Sequence, residues 1–293
     1  QTLAITESIL FYSQNREGWK NVAIIATADS YGINLSTSFI DEATTSEITI
    51  ATFGQILPDQ KDDKIELNEI KKSKARVIVC LIFIGWENII TQANELDLVG
   101  DQFVWFVPNT IVGFPDETKN VAKLTAGVLG SAVNIPQSEN FLNFLSRWNS
   151  LDPVNYPDSD IDPSPFSLQG YDMIFAAAYA VSSAYELGLL ENQRISPETW
   201  TEAVRNISFE GVTGSISLNE QGDRISEYSI SYYSPEGNSW KKSGVYSVDQ
   251  GYYVENDVIW VSGTTEIPDL DVREPFHYWS CDEREKKIRT VFP

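Results

Sequence analysis

Few side chains in this sequence stand at spacings that do chemistry, and each set has a plainer rival. Asp158-Ser159-Asp160-Ile161-Asp162 alternates carboxylates as a calcium loop does. Such a loop turns on glycine at its sixth position and closes with a bidentate glutamate at its twelfth. Here those positions hold Pro163 and Gln169, so the segment reads as a solvated acidic connector. His277 is the only histidine, which excludes a zinc site with two histidines in one chain and confines any Ser-His-Asp relay to the C-terminal segment. It reads as structural. Cys80 lies inside an apolar run and reads as a buried thiol. Cys281, in a polar stretch, is free to pair with another molecule, and a Cys80–Cys281 bridge stays open. Asn219-Glu220-Gln221-Gly222-Asp223 is a turn, and no glycine array cradles a phosphate or a dinucleotide. No catalytic set, metal or cofactor is expected.

The better candidates are loops that follow strands. Val22 to Thr27 is an unbroken run of apolar and β-branched residues, as a parallel strand covered on both faces requires. Asp29-Ser30-Tyr31-Gly32 then turns the chain into a helix over 33–43. Open α/β sheets bind ligands at such carboxyl ends. Two further loops of this kind are Gly85-Trp86-Glu87 and Asn109-Thr110. Trp86 offers an apolar or cation–π wall and Glu87 an acceptor for an ammonium group. In the alternative reading, Tyr31 and Trp86 merely pack at the sheet edge.

The elements that position these loops follow in order. Ile5, Ile9, Leu10 and Tyr12 place a helix in residues 3–16. Strands are expected over 47–53, 76–84, 103–108 and 124–128, with helices over 59–74 and 86–98 between them. That alternation is what a doubly wound parallel sheet needs, because parallel neighbours require a crossover. Residues 138–148 read as a helix capped by Ser138, and 152–165 as a Pro- and Asp-rich connector. Residues 167–190 read as an Ala-rich helix buried against a sheet, and 197–204 as a second helix opened by Pro197. Short strands are expected over 215–218, 228–233, 240–246 and 258–261.

Five blocks in order carry a resemblance: Trp19 to Gly32; Lys74-Ala75-Arg76-Val77-Ile78-Val79; Phe103-Val104-Trp105-Phe106; Gly170 to Ala178; and Phe209-Glu210-Gly211-Val212-Thr213-Gly214 with Asn219 to Arg224. The chain resembles the type I periplasmic-binding-protein superfamily, the Venus-flytrap ligand-binding region of natriuretic-peptide, metabotropic glutamate and type B GABA receptors. Its flavour is that of the type B GABA branch. The resemblance implies a lead-in helix at 1–16, an α/β lobe two at 17–165, helices of a partial lobe one at 166–211, final strands and a crossover at 212–267, and a C-terminal arm or linker at 268–293. The first part of lobe one falls outside the chain. In these receptors the tyrosine of the Tyr-Gly pair lines the cleft and stacks on an amino-acid ligand. Tyr31 occupies that place, with Ser30 beside it. Where amino-acid-binding glutamate receptors carry an acidic residue after the Phe103–Trp105 strand, this sequence has Asn109 or Thr110.

Charge and composition bound the partners. Forty-two acidic residues against 21 basic ones give a formal charge of -21 in 293 residues. Such a chain is repelled by nucleic acid and by anionic membrane surfaces. The longest apolar run, Val77 to Trp86, is too short to span a bilayer. Asn34-Leu35-Ser36 and Asn206-Ile207-Ser208 are glycosylation sequons. With the resemblance and an opening on Gln1 without a signal peptide, they point to an extracellular or secreted chain. The reading is therefore a binding or sensing domain for a small polar, amino-acid-like ligand, not an enzyme. The rival is a structural subunit of a head-to-tail filament or other homo-oligomer, in which a neighbouring chain completes lobe one and the C-terminal arm contacts it.

Overall fold

β1 (Asn21–Thr27) is the strand on which the sheet is wound, and its side chains divide by parity between two cores. Val22, Ile24 and Ala26 point to one face, where they meet Ile5, Ile9, Phe39 and Ala43; Ala23 and Ile25 point to the other, with Leu67, Ile70, Ile89 and Ile90. The same alternation runs through β3 (Val77–Leu81) and β4 (Val104–Val107), so both faces of each strand are dry. Each fully buried Ile or Phe side chain there contributes roughly 1.5–3 kcal/mol of transfer free energy.

A computed structural model describes residues 1–14, 16–114, 116–189 and 195–271. α1 (Thr2–Tyr12) and α2 (Ser30–Thr45) cover the first face; α3 (Lys64–Ser73), α4 (Trp86–Glu95) and the short α5 (Asn109–Gly113) and α6 (Asp116–Lys119) lie among the crossovers of the second. With β2 (Thr49–Ile56) and β5 (Leu129–Val133), the parallel strands run in the order β2-β1-β3-β4-β5. The winding reverses between β1 and β3. Ligands bind at such a switch point, outside the carboxyl ends of the strands.

The sheet continues past β5. β8 (Tyr228–Ser234), β9 (Ser239–Ser247) and β10 (Gly251–Val254) add to it as an antiparallel meander, giving eight strands in all. Residues 17–165 are thus not the whole of the sheet: β8 pairs directly with β5, from Leu129↔Tyr232 to Val133↔Tyr228.

A second region stands apart from this sheet. After α7 (Glu139–Trp148), α8 (Pro165–Glu186) packs on α9 (Pro197–Arg205) and on the hairpin of β6 (Ser208–Gly211) and β7 (Gly214–Ser217). Ser164 caps α8, with Pro165 in its first turn. The Asp172 carboxylate, 2% exposed, accepts from Val212 N and Thr213 N, both at 2.8 Å, and from Thr213 Oγ1, which ties α8 to the hairpin turn.

Several expectations are corrected here. The strand expected over 124–128 forms at Leu129–Val133, after a turn through Gly127. Residues 258–261 form no strand, although Val258 and Trp260 are buried in the first core. The helix expected over 86–98 ends at Glu95. α8 is not buried: Met173, Ile174, Tyr179 and Tyr185 are each at least half exposed. His277, Cys281 and residues 272–293 of the arm lie outside the described residues. The arm's first residues dock on their own chain, with Leu270 1% exposed and Trp19 Nε1 donating to Pro268 O at 3.0 Å. Cys80 is fully buried in β3, and burial pushes its thiol pKa up.

Candidate ligand site

Asp29 opens the site. Its carboxylate accepts from Gly32 N at 2.8 Å and from Thr27 Oγ1 at 3.0 Å, so the end of β1 and the start of α2 are locked together. Gly32 has a steric reason: a Cβ there would lie 2.1 Å from Thr27 O. This tight turn aims Tyr31 across the carboxyl end of the sheet.

The Tyr31 hydroxyl donates to Asn109 Oδ1 at 2.8 Å and lies 3.5 Å from Thr110 Oγ1. Thr110, fully buried, donates in turn to Ile82 O at 2.9 Å. Loops after β1, β3 and β4 are thereby joined at the switch point. Burial pushes the Tyr31 pKa up to about 12, with the neighbouring Thr110 hydroxyl lowering it and the charge of Asp29 raising it further, so the phenol stays neutral. The Phe83 ring meets Tyr31 edge to face, with centroids 5.3 Å apart, and Phe83 remains 43% exposed. Phe114 continues the series at 6.3 Å from Phe83 and stacks on Phe166 of α8 at 5.2 Å. An aromatic ladder therefore runs from the switch point to the second region.

Not every residue singled out from the sequence joins this group. Ser30 is exposed in the first turn of α2. Trp86 is 0% exposed; its Nε1 donates to Thr125 Oγ1 at 3.0 Å and its ring packs on Trp105, so it is a core residue and not a cleft wall. The reason is that α4 begins at Trp86, which puts it on the inner helix face with Ile89, Ile90 and Ala93. Glu87 is exposed and accepts from Asn120 at 3.2 Å, away from Tyr31. Sequence reasoning missed Phe83, Phe114, Phe166 and Glu117. Phe83 had a signal, an aromatic residue two positions past the end of β3. Glu117 had none: its carboxylate accepts from Gly85 N and Trp86 N, each at 2.9 Å, and so caps α4 from the short helix α6.

A cavity of about 850 Å³ lies elsewhere, lined by Arg16, Asp101, Trp260 and Glu266 among others. Arg16 precedes β1 and Asp101 precedes β4, so it opens at the amino ends of the parallel strands, where α/β folds of this kind do not place ligands.

The mostly parallel sheet, with helices on both faces and a switch point between β1 and β3, is that of the periplasmic-binding-protein type I fold. The leucine-binding protein LivK of Thermotoga maritima superposes with a TM-score of 0.65 at 18% identity, over 85% of this chain and 65% of that one. The model of the receptor family ligand binding region matches residues 14–236, and the chain belongs to that family. It is a binding domain, not an enzyme. Among its relatives, Glutamate receptor 2.1 of Arabidopsis thaliana is 28% identical over 190 residues, 63% of this chain and 20% of that protein. Subunit 1 of the gamma-aminobutyric acid type B receptor of Caenorhabditis elegans is 24% identical over 235 residues, 70% of this chain and 26% of that protein. The chain thus spans about a fifth to a quarter of the receptors it matches. No helix among the described residues is long and apolar enough to cross a membrane.

Proposed function

We propose that this chain is the lobe-two-centred part of an extracellular sensing domain that takes a small polar, amino-acid-like ligand. The observation that carries this reading is the Tyr31–Asn109–Thr110 network at the switch point, in which a neutral phenol at the start of α2 faces an amide and a hydroxyl at the start of α5. Ser30 stands at the rim. Residues 17–165 with the 228–254 meander act as lobe two, and residues 166–211 as the portion of lobe one present here. Residues 268–293 act as an arm or linker. Asn34 and Asn206, both exposed, are the glycan sites. The test is calorimetric titration of the full-length protein with amino acids. Tyr31→Ala is expected to weaken binding at least about tenfold. Unchanged affinity in that variant would sink the site assignment.

A second reading has its own observation, the exposed apolar face of α8. In it the same fold serves as a subunit of an extracellular homopolymer, each copy covering its neighbour. Light scattering distinguishes the two: a very large, polydisperse particle favours the assembly, and a particle of one or two chains the sensor.

A further inference from the structure

The loops that form the site carry a one-sided charge. Residues 28–33, 82–88 and 108–118 contain no Lys, Arg or His against Asp29, Glu87, Asp116 and Glu117, and the first basic residue beyond them is Lys119 at the end of α6. A ligand carboxylate on this face would have no cationic side chain from these loops to pair with.

Backbone amides at helix N-termini are the other common anion grip, because they gather free N–H groups at the positive end of the helix dipole. At α2 and α4, which follow β1 and β3 on either side of the switch point, part of this grip is filled from within. The Asp29 carboxylate takes Gly32 N of α2, and the Glu117 carboxylate takes both Gly85 N and Trp86 N of α4. These caps occupy three of the amides at those two N-termini, and each adds a negative charge that repels an incoming carboxylate.

What the face offers instead is suited to uncharged or positive groups. The Tyr31 proton is directed to Asn109 Oδ1, which leaves the phenol oxygen lone pairs as acceptors, and the Asn109 amide nitrogen supplies neutral donors. Phe83 presents a part-exposed ring beside them. An aromatic face attracts an ammonium group and accommodates an apolar one.

We propose that this face selects amino-acid-like ligands whose group directed at it is uncharged or cationic, and that it discriminates against acidic amino acids. The inference rests on the small-ligand reading of the Tyr31 site and adds the chemical class of what that site accepts. Glu117 acts as a specificity residue without touching the ligand, by occupying the α4 N-terminus.

The experiment is calorimetric titration of the full-length protein with leucine, glutamine, lysine, glutamate and aspartate at neutral pH. At least one of the first three is expected to bind about tenfold or more tightly than either acid. Glutamate or aspartate binding as well as or better than all three overturns the inference and leaves the small-ligand reading standing. No binding by any of the five overturns that reading, and the inference with it. Glu117→Gln, which keeps an acceptor and removes the charge, is expected to improve glutamate binding about threefold or more relative to leucine. An unchanged ratio in a folded Glu117→Gln protein removes Glu117 from the account. Should that variant fail to fold, the wild-type ranking alone decides.

Discussion

The two halves of this molecule solve the same burial problem differently. Around β1, β3 and β4, every strand side chain finds a helix or a neighbouring strand, and residues such as Ile24, Ile78 and Phe106 are fully buried. Along α8, Ile174, Ala178, Val181 and Tyr185 follow one another at helical spacing and all are exposed. A 22-residue helix whose only charged residues are Asp172 and Glu186, with Asp172 turned inward, is built for cover on more than one side. The sheet half is energetically complete within the chain. The α8 half is held by local ties and leaves a face exposed. A contiguous apolar patch of this kind marks an interaction surface or an aggregation hazard.

That contrast is open to attack by substitution. The largest effect is expected in the sheet: Ile24→Ala removes a side chain buried between β1 and the α1–α2 layer and is expected to cost about 3–4 kcal/mol in denaturant unfolding. If it cost under about 1 kcal/mol, the sheet half would not be the completed core described here. Next comes Asp172→Ala, which strands two buried N–H groups of the β6–β7 turn and is expected to cost about 2–3 kcal/mol. Hydrogen exchange should localise the loss to Val212 and Thr213; uniform deprotection of the sheet as well would mean that the two halves unfold as one.

Tyr31→Phe is milder. It breaks the bond to Asn109 and is expected to lower stability by about 1 kcal/mol. Its pH signature is the sharper test. The folded-state pKa of Tyr31 is raised from 10.0 to about 12, so the native state holds the phenol proton more tightly than the unfolded chain does. The stabilisation is complete below pH 10 and is lost as pH climbs from 10 toward 12. Denaturant midpoints across that range should fall less steeply in Tyr31→Phe than in the parent, and parallel curves would contradict the buried, neutral phenol. The smallest stability effect is expected at Ile174→Ser on the open face, within about 0.5 kcal/mol. The same substitution should reduce self-association by light scattering if copies cover one another there. A stability loss as large as that of Ile24→Ala would show that the α8 face is covered within the chain.

Much of the ligand-site architecture was legible where the signals were local. The apolar run before Asp29-Ser30-Tyr31-Gly32 announced a buried strand, which formed where expected, whereas the helix expected over 33–43 starts three residues earlier, at Ser30, because Asp29 caps it. The spacing of Trp86 to Ile89, Ile90 and Ala93 marks the inner face of a helix, and that face, not the cleft, is where Trp86 lies. The aromatic residue looked available because Gly85 before it suggested a loop; in fact Gly85 is the left-handed residue that starts α4. The strand expected over 124–128 forms five residues later, as β5.

The amino-acid sequence by itself determined the alternation of buried strands and covering helices, the Asp29 cap and the apolar character of α8. These depend on side chains within a few positions of one another, where sterics and solvation act without help from the rest of the fold. Only the tertiary structure decided that β8 to β10 extend the parallel sheet, that Tyr31 meets Asn109 across 78 residues and that Glu117 caps α4 from 32 residues away. Those partners are chosen by sheet order and strand register, and a polar side chain carries no local mark of which distant N–H or amide it will satisfy.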